Sequence, residues 1–180
     1  MMKNKSYLTL FFLLSLIAGT GCNFSNNQNR NTAGQTIISE DSLFSVTIPK
    51  GWTQVADHSL NDDADLQAQK LFGDQYFVAI IEAKADLDYT FDEWMKKVMN
   101  RYLASMDNPS VTEGKDVLID GQPAKQYEIT MTKSRVRLTL LATYVNGKTH
   151  FAQILAWTLA SKFQSSVDNL DAITHSITGL

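Results

Sequence analysis

Apolar positions recur with period two over most of the chain and switch to helical spacing in two stretches. Gln35–Ile38 and Leu43–Ile48 are short runs rich in β-branched and aromatic residues, closed by Pro49-Lys50-Gly51 ahead of Trp52. His58–Asp65 reads as a polar loop. Leu66–Phe72 and Gln75–Ala83 flank Gly73-Asp74 and predict a hairpin. Thr90-Phe91-Asp92-Glu93 then matches a capping box, in which hydroxyl and carboxylate each satisfy an exposed backbone N–H. Behind it Phe91, Trp94, Met95, Val98, Met99, Tyr102, Leu103 and Met106 share one helical face, with Asp92, Lys96, Lys97 and Arg101 opposite. This helix is expected to end near Asp107, ahead of Pro109.

Val111–Ile119 leads into an Asp120-Gly121 turn, and Ala124–Thr132 carries Tyr127, Ile129 and Met131 on one face. Val136, Leu138, Leu140, Ala142 and Tyr144 alternate with Arg135, Arg137, Thr139 and Thr143, the pattern of a half-buried strand. Asn146-Gly147 is the strongest hairpin signal, and Thr149–Trp157 returns with Phe151, Leu155 and Trp157 on one face. A second helix is expected between Ala160 and His175 on Phe163, Val167, Leu170 and Ile173. Hairpin-linked strands with one helix in mid-chain and one at the end predict an α+β fold, a central antiparallel sheet flanked by helices.

The first 34 residues follow a different logic. Lys3 and Lys5 precede the uncharged, mostly apolar run Tyr7–Ile17. Eleven residues are too few for a bilayer-spanning helix, which takes about 20, and suit a secretory signal core. Ala18-Gly19-Thr20-Gly21-Cys22 follows, and this stretch resembles a bacterial lipoprotein signal. The resemblance implies a thioether-linked diacylglyceryl group on Cys22 and cleavage before it, so that residues 1–21 are a signal peptide. Gly19 stands where that pattern most often has leucine. Ordinary secretion, with Cys22 left as a free thiol, is the alternative. Asn23 follows the cysteine where an aspartate would signal inner-membrane retention, which in a two-membrane organism favours the outer membrane. Residues 22–34 hold five asparagines and are expected to form a flexible tether, with the domain running from 35 to 180.

Ser45-Val46-Thr47-Ile48-Pro49-Lys50-Gly51-Trp52, Asp120-Gly121-Gln122-Pro123-Ala124 and Ile173-Thr174-His175-Ser176-Ile177 together resemble the PsbP/DcrB-type family. Its members carry an F-x-[IV]-P-x-G-W opening, a G-x-x-A turn and an I-x-x-S-F ending, and Ile177 replaces the last phenylalanine. The resemblance implies an α/β/α sandwich over residues 40–180. Family members include thylakoid photosystem subunits, envelope lipoproteins and chaperones for apolar helices, with no shared catalytic site. It implies a fold and no reaction.

Composition narrows the function classes. The chain has 180 residues, 44% apolar, with a formal charge of −3, so it can bury a core and offers no basic footprint for nucleic acid. Removing residues 1–21 takes Lys3 and Lys5 with it and moves the charge from −3 to −5. A single cysteine excludes a disulfide framework. Asn61-Asp62-Asp63-Ala64-Asp65 is the most metal-like cluster, but Leu66 and Phe72 occupy the positions where an EF-type loop needs glycine and glutamate. His58, His150 and His175 have no metal-ligand spacing, and no nucleophile elbow, Walker loop or dinucleotide fingerprint occurs. Arg135 and Arg137 on the polar face of one strand, with Lys133 just before it, could grip a carboxylate or phosphate, or be a solvated face or pair with acids across the sheet. Phe91, Trp94, Met95 and Met99 could line a partner groove, or be core. The chain is therefore read as a non-enzymatic envelope lipoprotein, bound to lipid through acylated Cys22 and to a protein partner, with no metal or organic cofactor. The rival reading is a hydrolase or metal-dependent enzyme whose site assembles from distant residues.

Overall fold

The computed structural model describes residues 34–56 and 58–180. The signal segment, Cys22 and the expected tether up to Ala33 lie outside the described residues. Ten strands and two helices follow in the order β1 (Gln35–Ile38), β2 (Ser45–Ile48), β3 (Thr53–Gln54), β4 (Leu66–Lys70), β5 (Gln75–Ala83), α1 (Phe91–Ala104), β6 (Asp107–Val111), β7 (Lys115–Ile119), β8 (Gln122–Lys133), β9 (Val136–Asn146), β10 (His150–Leu159) and α2 (Phe163–His175). An antiparallel sheet runs β3-β4-β5-β10-β9-β8-β6, with β7 also on β8, and β1-β2 form a separate hairpin.

Strand alternation sends side chains to two cores. On one face Phe77, Ala79, Ile81, Val145, Ala152, Ile154 and Ala156 meet Phe163, Leu170 and Ile173 of α2 and Ile37, Val46 and Ile48 of the small hairpin. On the other Val78, Ile129, Leu140, Ala142, Tyr144, Phe151, Leu155 and Trp157 meet Trp94 and Tyr102 of α1. Each fully buried Leu, Ile or Val in these two cores contributes roughly 1.5–3 kcal/mol to holding the layers together. The result is the α/β/α sandwich expected from the sequence.

Several local expectations are corrected. β9 is buried on both faces from Thr139 to Val145, where alternation suggested half-burial. The threonines facing α2 satisfy their hydroxyls inside the fold: Thr143 accepts from Gln126 Nε2 at 3.2 Å, and Thr139 and Thr130 bond at 2.9 Å. Helix α1 stops at Ala104, because Asp107 and the Pro109 segment join the sheet as β6. The single run Val111–Ile119 divides into β6 and β7. Gly114 marks the break, since a Cβ there would lie 2.5 Å from the Tyr127 ring.

The turns differ too. Asp120-Gly121 is a two-residue loop with both φ positive, as its sequence predicts. Gly73-Asp74 instead belongs to a four-residue loop, because Lys70 pairs with Gln75, and Gly147 opens another, because Asn146 pairs with Phe151. Gly147 is needed for space: a Cβ would come within 2.8 Å of the His150 carbonyl oxygen. The expected second helix opens as a 3₁₀ turn over Ala160–Lys162 before α2 begins.

The three family-like motifs converge on the C-terminal segment. Ser45 and Thr178 exchange backbone hydrogen bonds, and Ser176 Oγ donates to the Thr47 carbonyl at 2.9 Å. Asp120 Oδ2 accepts from the amides of Gly179 and Leu180 at 2.9 and 3.1 Å. Ile177, the departure from phenylalanine, is fully buried.

Candidate functional site

β5 leaves the sheet at Ala83 into a 3₁₀ turn, Lys84–Asp86, and an extended run reaches the Thr90 N-cap. The turn is fixed from beneath: Lys84 N donates to Thr149 O at 2.9 Å and Lys84 Nζ to Asn146 Oδ1 at 2.7 Å. The start of α1 is fixed by the reciprocal capping box of Thr90 and Glu93, which also holds the Glu93 carboxyl below its ordinary range. Between these two anchored pieces lies an open cleft of about 430 Å³, lined by Glu82, Asp86, Tyr89, Trp94, Lys97 and Arg101 among others. Trp94 is buried and donates from Nε1 to Glu82 Oε2 at 2.6 Å, so floor and wall are tied together. Lys97 bonds the Tyr89 hydroxyl and sits 4.2 Å over its ring. Carboxylates on one side and two cations on the other, over aromatic rings, suit a polar, extended segment carrying both charge signs.

The Asn61–Asp65 cluster occupies a second cleft. Glu40, Asp41 and His58 join Asp62, Asp63 and Asp65 around about 410 Å³ of open space. Much of this cluster builds the loop itself. Asn61 Oδ1 accepts from Asp63 N at 2.8 Å, and Asp65 Oδ2 accepts from Ile81 N at 2.7 Å. Buried Gln67 takes the amides of Leu60 and Asn61 on its carbonyl. The Ser39 hydroxyl, at 2.6 Å, holds the Asp41 carboxyl below its ordinary range. Among the described residues no group of three or more histidines, cysteines or acids is placed to hold a metal ion.

The other residues singled out by the sequence are dispersed. His58 stands 3.8 Å from Glu40, His150 Nδ1 2.9 Å from Thr149 Oγ1, and His175, in the last turn of α2, 3.4 Å from Asp171. Arg135 is not on a strand but in a Ser134-Arg135 turn with positive φ at both residues. Lys133 lines a small hollow with Tyr102 and Met131 on the α1 face, and Arg137, opposite Thr132, points to the other. The three cations therefore make no shared grip. Phe91, Met95 and Met99 pack with Trp94 against the sheet, which settles that stripe as core. Lys97 and Arg101, part of what reads as a solvated helix face, are the residues the sequence reading passed over. Their signal was the i, i+4 spacing on the flank of the aromatic stripe.

By sequence, no protein-family model and no curated protein matches the chain. By fold it is similar to cyanobacterial PsbP (CyanoP) from Synechocystis sp. PCC 6803, with TM-score 0.60 and 16% identity over 86% of this chain and 97% of that one. It is similar also to LpqN, described as involved in cell envelope biogenesis of Mycobacterium tuberculosis, with TM-score 0.58 and 14% identity over 81% and 84%. A third likeness is to protein PA94 from Pseudomonas aeruginosa, with TM-score 0.51 and 10% identity over 80% and 95%. At these identities the likeness establishes fold: the described domain is PsbP-like. Among the described residues no helix is long and apolar enough to cross a membrane.

Proposed function

We propose that this protein is a lipid-anchored, non-enzymatic envelope protein whose PsbP-like domain binds a protein partner, or supports its assembly, at the membrane surface. The observation that carries the reading is Cys22, placed directly behind a signal core and small residues and ahead of a folded domain. The fold shared with LpqN, an envelope-biogenesis protein, supports it. Two acyl chains on Cys22 hold a protein firmly without a spanning helix, because each buried CH₂ contributes about 0.8 kcal/mol. In a two-membrane organism the Asn23 position favours anchoring at the outer membrane, facing the periplasm.

The α1 cleft is the binding surface in this reading, with Lys97 and Arg101 taking acidic groups of the partner and Asp86 and Glu82 taking basic ones. A photo-crosslinker at Lys97 in the full chain, expressed in its own cells, tests it. One discrete adduct from position 97 and none from Lys148, in the β9–β10 loop, is the expected result. The same adducts from both positions, or none from either, would contradict it.

A further inference from the structure

The register of the sheet places three features at one end of the molecule. Lys70 pairs with Gln75 across the β4–β5 turn, Tyr76 lies beside Trp157, Leu159 beside Leu138, and Lys133 beside Val136 across the next turn. The β4–β5 turn and the Ser134-Arg135 turn therefore share one end. Leu71 and Phe72 form the tip of the first, 60% and 106% exposed. Lys70 runs back along this turn to Gly51, whose Cβ position is 3.8 Å from Lys70 Cε, so Lys50 adjoins the same tip. Lys162 reaches it from behind α2's first turn, 2.5 Å from Asp74. Arg135 and Arg137 lie at the same end across β10, with Asp107 across β8 from Arg137 and Asp74 paired with Lys162.

The chain enters the domain at this same end. Gln35 pairs with Ile48, two residues before Lys50. The thirteen residues from Cys22 to Gly34 reach at most about 47 Å when extended. The acidic cleft of Glu40, Asp62 and Asp63 lies at the other end, where Asp65 meets Ile81.

We propose that the β4–β5 turn, with Leu71 and Phe72 at its tip and Lys50, Lys70 and Lys162 around it, docks onto an anionic lipid bilayer. Exposed apolar side chains ringed by lysines are the composition that enters a headgroup layer: the rings and branched chains leave water while the cations meet lipid phosphates. An acidic far end turns the molecule the same way, since anionic lipid repels it. The docking rests on the acylation of Cys22, which sets the reach, and it would leave the α1 cleft and the acidic end facing away from or beside the membrane.

The test uses the full chain, processed in a lipoprotein-competent bacterial host and reconstituted into vesicles. Acylated Cys22 has no free thiol, so Phe72→Cys, or Lys148→Cys at the far end, supplies the one site for an environment-sensitive fluorophore. In phosphatidylglycerol–phosphatidylcholine vesicles the label at 72 is expected to shift to the blue and to be quenched by brominated acyl chains, while the label at 148 does neither. The shift is expected to disappear when Lys50→Glu and Lys70→Glu are combined with Phe72→Cys, and in phosphatidylcholine alone. Equal responses at 72 and 148, or a shift indifferent to lipid charge and to those two lysines, would overturn the proposal. Labelling of the unsubstituted protein at Cys22 would instead contradict the anchor, and Cys22→Ser added to both variants would then leave the comparison of 72 with 148 to decide the docking face.

Discussion

Asp120 shows how one residue serves two neighbours. Its backbone takes the positive φ that a two-residue hairpin needs, and its carboxylate holds the last two amides of the chain. Asp120→Ala is expected to cost about 1–2 kcal/mol, from the lost charged hydrogen bonds and the left-handed backbone an alanine resists. Asp120→Asn should cost less, because asparagine keeps an acceptor and tolerates that conformation. Urea titration gives both values, and faster amide exchange at Gly179 and Leu180 in the alanine variant would locate the effect. Asp41 adds a pH dependence of known sign. Its folded pKa is depressed, first by the Ser39 hydroxyl. Its contribution is therefore full above the unfolded carboxylate value and lost as pH falls through the lower folded value. Asp41→Asn is expected to flatten the acid side of the stability profile; an unchanged profile would exclude the Ser39 contact as its source.

Helix α1 is the element on which core and cleft meet. Trp94 fills the core below and anchors Glu82 at the cleft wall, so Trp94→Ala is expected to cost about 3–5 kcal/mol. Thr90→Ala removes the cap and is expected to cost about 1 kcal/mol. Lys97→Ala, touching only exposed partners, should leave stability within about 0.5 kcal/mol. Denaturant midpoints order the three variants, and a large loss for Lys97→Ala would remove the distinction between core face and cleft face. This helix was legible in the sequence because a capping box and a 3.6-residue stripe agree over four turns. Its end was not: Pro109 correctly forbids a helix there, but nothing local shows that Asp107 joins a strand two turns of sequence later. β9 misled for a different reason. Threonines that bond to one another or to glutamine inside the sandwich look, in sequence, like threonines facing water.

For the molecule as a whole, the two-layer covering of the sheet was legible from the hairpin and helix order, whereas the clefts were not. The α1 cleft brings together Glu82, Asp86 and Lys97 from a strand end, a turn and a helix, each of which looks solvated on its own. The basic end likewise joins Lys50, Lys70 and Lys162 from segments far apart in the chain, through the β4–β5 register, the approach of Lys70 to Gly51 and the Lys162–Asp74 pair. In the proposed reading the acyl anchor on Cys22 sets where the domain works, and the β4–β5 turn sets which end meets lipid. Intact mass analysis of the mature protein's N-terminal peptide tests the anchor most directly. The account predicts a chain beginning at Cys22 with a diacylglyceryl thioether on its sulfur, and a Cys22→Ser variant that takes up no fatty-acid label. A mature chain carrying a free Cys22 thiol, or cleaved elsewhere with equal label on both forms, would contradict it.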